Sequence, residues 1–434
     1  MHKMRDYVEE QVKWVMRLKY EDIPAEVIVR TKWILLDSVG CILNGLGGKN
    51  LPGDENEKIL KSSAAMVSTE LYEGNRFAIG HPASHIVPIL LTEAERRNLS
   101  YGEVLRILVC AYEIASRWGS AIRFSNDILG HGTIMISGAA IVEGLLSHIP
   151  ESDFINYIMV CESIPEVSTW QSVLEGSALH DYFPGIAAVN ARNALCMIQD
   201  NVYSSEQLVR SVYDKIIGAE VMEEKLGGDL GTNWYLLKNY FKVYTGCRFI
   251  HPFADVITGL LREGLKKGDI EEIHIYTYKK ASRLVNQTVP NVLAAKFSTP
   301  VSLATLIVRG RLYPEDIAAA ATDEEVKELS AHIYVEEDDK YNSMLPDIRG
   351  GCVKVKKKNG TIIEREIFHA QGDFDHPEQF TEDRLKSKFH DITQKYVNRD
   401  RRENIINHIL MGTGASAAAQ IFGQYFDIVR QEVL

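Results

Sequence analysis

Apolar residues recur three and four positions apart through most of the first 250 residues, the period of helices that turn one face into a core. The run "PAEVIVRTKWILLDSVGCILNGL" keeps that spacing, with Pro24 placed where a helix's first turn tolerates it. "SYGEVLRILVCAYEIASRWGSAI" opens with Ser100 and Glu103 at capping-box spacing. "GTIMISGAAIVEGLLSH" and "PGIAAVNARNALCMIQ" carry small and apolar residues all round, which predicts helices buried in the middle of an all-helical domain. No strand is predicted before residue 270. From Ile270 the period falls to two, in "IEEIHIYTYKKAS", "AHIYVEED" and "GGCVKVKKKNGTIIEREIFHA", and Asn359-Gly360 marks a two-residue hairpin turn. Two helices lie between these strands: "STPVSLATLIVRG", capped by Ser298, and "PEDIAAAA". Beyond about residue 380 the helical period returns. The pattern predicts a mainly α protein: a large all-helical domain formed by both chain ends, residues 1–252 and 395–434, plus a smaller inserted α+β domain at 253–394.

Composition narrows the function classes. The 434 residues suffice for two or three domains, and 45% hydrophobic with 25% charged residues is ordinary for a globular protein. A formal charge of -11 makes nucleic acid and acidic membrane surfaces poor partners, yet permits a locally basic pocket for a small anion. The six cysteines form no CxxC pair and mostly sit in apolar helical contexts, as reduced, packed thiols do. The first twenty residues lack an apolar signal core, and no window matches a membrane span, so a soluble, cytoplasmic protein is expected.

Candidate chemistry concentrates on histidines. In "NRFAIGHPASHIVPIL" His81 and His85 stand four apart, but Pro82, Ala83 and Ser84 between them omit the glutamate of a zinc-protease HExxH. No third ligand stands at readable spacing, so no metal is expected. Pro82 suits a first turn and puts His81 at a helix N-terminus, where backbone amides favour an anion. His131 in "ILGHGTIMISGAA", His180 in "EGSALHDYFPG" and His251 in "KVYTGCRFIHPFAD" also precede helices. Each alone reads more readily as structural. Together, converging helix ends would give a pocket of anion-binding amides and tunable bases, with Lys242 and Arg248 as cations for carboxylates. "GTGASA", Gly412 to Ala417, satisfies GxGxxA but follows a helix and lacks a βαβ unit, so it reads as helix punctuation. The basic "KVKKKNG" straddles a hairpin and reads as a solvated edge.

At these segments the chain resembles the MmgE/PrpD family, which includes 2-methylcitrate dehydratase, cis-aconitate decarboxylase and iminodisuccinate epimerase. The stretches "ILLDSVGCILNGL", "EGNRFAIGHPASHIVPILL", "HGTIMISGAA", "ALHDYFPGIAAVNA", "YTGCRFIHPFAD" and "KFSTPVSLATLIVRGRL" occur in the family's order, from about residue 8 to 430. The resemblance implies a helical domain with a smaller α+β lid, a homodimer, and chemistry beside a carboxylate without metal or organic cofactor. Such chemistry builds enolate-like charge, which preorganised cations and donors must hold.

Carried over by position, His81, His131, His251 and Lys242 match the family's histidines and lysine and form the expected catalytic set. Three positions depart: the family aspartate falls at Tyr72, beside Glu73; a lysine falls at Ser177; a tyrosine falls at Val301. The departures imply a different substrate, reassigned catalysis or a silent binding protein. Arg76, Arg248, Glu73, His180 and Ser177 are the expected substrate contacts. The resulting expectation is a cofactor-independent lyase, by elimination, on a small di- or tricarboxylate. An isomerase or epimerase is the close alternative, and a catalytically silent carboxylate-binding protein the alternative from another class.

Overall fold

The computed structural model describes residues 3–51, 53–124 and 127–414. Helices dominate, and among the described residues the largest sheet has four strands. One large core gathers the helices Met4–Arg17, Ala25–Leu46, Glu55–Ser68, Pro82–Arg97, Tyr101–Ala121, Ile136–Leu146, Glu151–Glu162 and Leu179–Gln199. The Tyr101–Ala121 helix is buried on nearly its whole circumference, as its all-round apolar sequence requires. Half of its expected capping box forms: the Ser100 side chain accepts from the Glu103 amide. No helix among the described residues is long and apolar enough to cross a membrane.

The sheet runs in the order Ile333–Glu337, Ile270–Thr277, Gly351–Lys357, Ile362–Ile367; the first pair is parallel and the other two antiparallel. Asn359-Gly360 turns the last hairpin with Gly360 at φ +84, the left-handed conformation that favours glycine. A second core joins one sheet face to helices His251–Arg262 and Thr299–Arg309. Ser298 caps the latter, accepting from the Val301 amide.

Two features differ from the sequence expectation. Helix Glu382–Thr393, placed by texture in the inserted domain, packs on Ala25–Leu46 and puts Leu385, Phe389 and Ile392 into the large core. Lys388 fastens it by donating to Asp37 and to the Leu71 carbonyl. Two short antiparallel pairings also occur before residue 270: Gly74–Asn75 with Asn239–Tyr240, and Ile122–Arg123 with Glu220–Val221. Two-residue ladders are too short for a period-two pattern to betray. The first of them ties the segment leading to His81 to the segment leading to Lys242. Of "GTGASA", Gly412 to Gly414 follow the last helix, Arg399–Met411, and the remainder lies outside the described residues.

Candidate active site

Helix Pro82–Arg97 begins at His81, with Pro82 at a position whose missing N–H no hydrogen bond needs. Just upstream, Glu73 is wholly buried, and its carboxylate accepts from the Ala83 amide at 3.1 Å and the Tyr112 hydroxyl at 2.5 Å. Its backbone carbonyl accepts Nδ1–H of His81 at 2.6 Å. Since a carbonyl only accepts, that bond fixes the tautomer and leaves the lone pair on Nε2. Burial, and then the Lys242 cation, hold the His81 imidazole down to about 3, so it is neutral at ordinary pH. Space is tight here: a Cβ on Gly74 would stand 2.8 Å from His81 Nδ1 and 2.4 Å from the Tyr240 hydroxyl.

His85 has a different task. Its Nδ1–H donates to the His81 carbonyl at 3.2 Å, and its Nε2 accepts the Gly132 amide at 3.0 Å. It therefore clips the turn carrying His131 to the helix start carrying His81. The rings of His81 and His131 consequently stand 5.1 Å apart, and His180 follows 4.7 Å from His131. Tyr72 shares a 2.8 Å hydrogen bond with His131 Nε2 and lies 4.5 Å from the His81 ring. The position where the family aspartate falls thus remains in the site, as a buried phenol.

Burial drives the His85 imidazole down to about 4. The sign follows directly: unfolded His85 takes up a proton below about 6.5 and the folded one does not, so its contribution is present above that pH and lost below it. At pH 5 this amounts to about 2 kcal/mol. Urea unfolding should show wild type losing that much more stability than His85→Gln between pH 7 and pH 5. Parallel losses in both would sink the assignment.

Lys242 is fully buried, donates to Glu70 Oε2 at 2.8 Å and to the Glu70 carbonyl at 3.2 Å, and lies 5.0 Å from the Tyr72 ring centre. Glu70 has φ +47, the left-handed region a non-glycine residue rarely occupies. Its Oε1 makes no hydrogen bond and faces His180 Nε2 at 3.7 Å. Burial opposes the charge on Glu70, but the Lys242 cation outweighs it and holds the carboxyl below its usual range.

A cleft of about 750 Å³, open solvent included, lies beside these residues. Glu70, His81, His131, Lys242 and Arg248 line it. So do Arg349 and Lys280, which sequence reasoning did not single out. Neither has a carboxylate within ion-pair distance among the described residues, and burial lowers the pKa of both. No spacing rule reaches them; only the fold brings them opposite His81. Glu70 was missed because its sequence neighbours Tyr72 and Glu73 aligned better with the family pattern.

Several expected residues do other work. His251, expected as a base, is absent from the cleft wall, and its Nδ1 accepts from Arg248 at 3.0 Å, so the lone pair a base needs is engaged. Arg248 is further tied to Asp373 at 2.7 Å and to the carbonyls of Ala370 and Gln371. Arg76 is spent on Asp375 and lies close to the rings of both Phe77 and Phe374, which makes it a latch between the helical and inserted parts. Glu73 positions His81 and does not reach the cleft. Ser177 is exposed and outside it, and Val301 is packed in the second core. His180 is buried behind His131. The helix-start amide of Ala83, beside His81, is occupied by Glu73. Among the described residues, His369, Asp373 and Asp375 could bring three metal-ligand atoms together, but Arg248 and Arg76 already neutralise both carboxylates.

Fold and site define a mainly helical protein in which a histidine–lysine cluster lies at the junction with a smaller α+β part. The chain belongs to the MmgE/PrpD family: its N-terminal domain model matches residues 59–213 and its C-terminal domain model residues 244–411. It is similar to cis-aconitate decarboxylase of Aspergillus terreus, 23% identical over 313 residues, 61% of this chain and 62% of the relative. It also resembles cis-aconitate decarboxylase-like protein oryM of Aspergillus oryzae, 30% identical over 156 residues, 28% of this chain and 32% of the relative. The chain thus spans less than two thirds of the length of these curated relatives.

Proposed function

We propose that the protein is a cofactor-independent lyase that removes a proton beside a carboxylate and expels a substituent from the neighbouring carbon. The observation that carries this is His81: a neutral imidazole, fixed by Glu73 with Nε2 unprotonated, on a cleft that also holds Lys242 and two unpaired cations. In this reading His81 takes the proton, Arg349 and Lys280 hold the substrate carboxylates, Lys242 steadies the enolate-like charge, and His131, hydrogen-bonded to the Tyr72 hydroxyl, relays a proton to the leaving group. Substrate charge would raise the low basicity of His81 at the moment it is needed. Elimination is favoured over epimerisation because the His81 and His131 rings are neighbours, 5.1 Å apart, whereas an epimerase needs bases on opposite faces of one carbon. Decarboxylation is the second reading, on the names of the relatives; carbon dioxide would then leave in place of the proton.

Incubation in D₂O with a panel of small carboxylates, followed by NMR, tests both. Deuterium entering the carbon beside a carboxylate, with an alkene product, is the expected result. Carbon dioxide release without prior exchange would favour decarboxylation. Binding without exchange or product would leave a silent carboxylate-binding protein.

A further inference from the structure

The cleft is lined both by cations and by a cluster of aromatic and apolar side chains. The cations are largely spoken for: Lys242 is matched by Glu70, Arg248 by Asp373 and Arg76 by Asp375. Arg349 and Lys280 alone among these lack a carboxylate partner within the described residues; the printed bond of Arg349 is to the Arg76 carbonyl at 2.7 Å. The same cleft is also lined by Trp170, Phe249, Phe297, Leu129, Ile128 and Phe124. Its aromatic part is preformed: Trp170 stacks on Phe249 at 5.9 Å and 24°, and meets Phe297 edge-on at 6.4 Å.

Two free cations match two carboxylates. A third carboxylate would have to compete with Glu70 or Asp373 for a cation already matched, or lie desolvated against the aromatic rings. An apolar substituent there would instead leave water for a surface already shaped to receive it. We propose that the substrate is a dicarboxylate bearing an apolar arm, its carboxylates at Arg349 and Lys280 and its arm on Trp170, Phe249 and Phe297. This rests on the carboxylate reading above and sharpens it: among the di- and tricarboxylates expected, the geometry selects the dianion and adds a demand for an apolar group.

Calorimetric titration of the full chain with three probes separates the possibilities: benzylsuccinate, succinate and citrate. Benzylsuccinate should bind at least about ten-fold more tightly than either of the others, the worth of burying a ring against a preformed wall. Phe249→Ala, and independently Trp170→Ala, should erase most of that advantage while succinate binding stays within about two-fold. Arg349→Met should weaken succinate and benzylsuccinate alike, by about ten-fold or more. Citrate binding as tightly as benzylsuccinate, or succinate doing so, would overturn the apolar-arm inference and leave the carboxylate reading standing. No binding by any of the three to a folded protein would overturn both.

Discussion

His81→Gln should lower the rate of carbon-bound proton exchange by about 10³-fold, within the range a positioned general base supplies. The fold should survive, because the residue sits at a helix start, partly exposed to the cleft, and a glutamine amide can still donate to the Glu73 carbonyl. Stability by urea titration should stay within about 1 kcal/mol of wild type. The comparison that gives the result its meaning is His251→Gln. That residue presents its nitrogen to Arg248 and does not line the cleft, so its loss should act through Arg248 on substrate affinity more than on turnover. A His251→Gln enzyme as dead as His81→Gln, with unchanged substrate binding, would put the base at the wrong histidine.

Lys242→Met should destabilise the protein by about 3–5 kcal/mol, because it leaves the buried Glu70 carboxylate without its partner. The measurement is a denaturation midpoint, and the decisive control is the pair. Lys242→Met together with Glu70→Gln removes both charges and should recover most of the lost stability. It should not recover exchange activity, since the cation proposed to steady the enolate-like charge is gone. If the single variant unfolds no more easily than wild type, Glu70 is protonated or solvated in the native protein. The pair would then not be the electrostatic anchor of the site.

The helical period, the Ser298 cap, the Asn359-Gly360 hairpin and the period-two strands after Ile270 were legible because each is a local property of a few consecutive residues. The placement of helix Glu382–Thr393 was not, since its Leu385, Phe389 and Ile392 face would suit either core. Only the Lys388–Asp37 pair and the packing on Ala25–Leu46 decide it. The site divides in the same way. His81, His131 and Lys242 could be singled out because each sits in a distinctive short segment. Whether His85 points at substrate or at the Gly132 amide depends on a turn nearly fifty residues away.

What the sequence by itself determined is therefore the inventory: helical and mixed segments, a family, and a set of histidines and cations able to do carboxylate chemistry. What only the tertiary structure decided is which of them are free. Arg76, Arg248 and Glu73 look available in the sequence and are committed to Asp375, His251 with Asp373, and Tyr112 with Ala83. Arg349 and Lys280 look like ordinary surface cations and line the cleft with no carboxylate at ion-pair distance among the described residues. The reason is physical: availability is the absence of a partner, and partners for buried charges are drawn from anywhere in the chain that folding brings within a few ångströms.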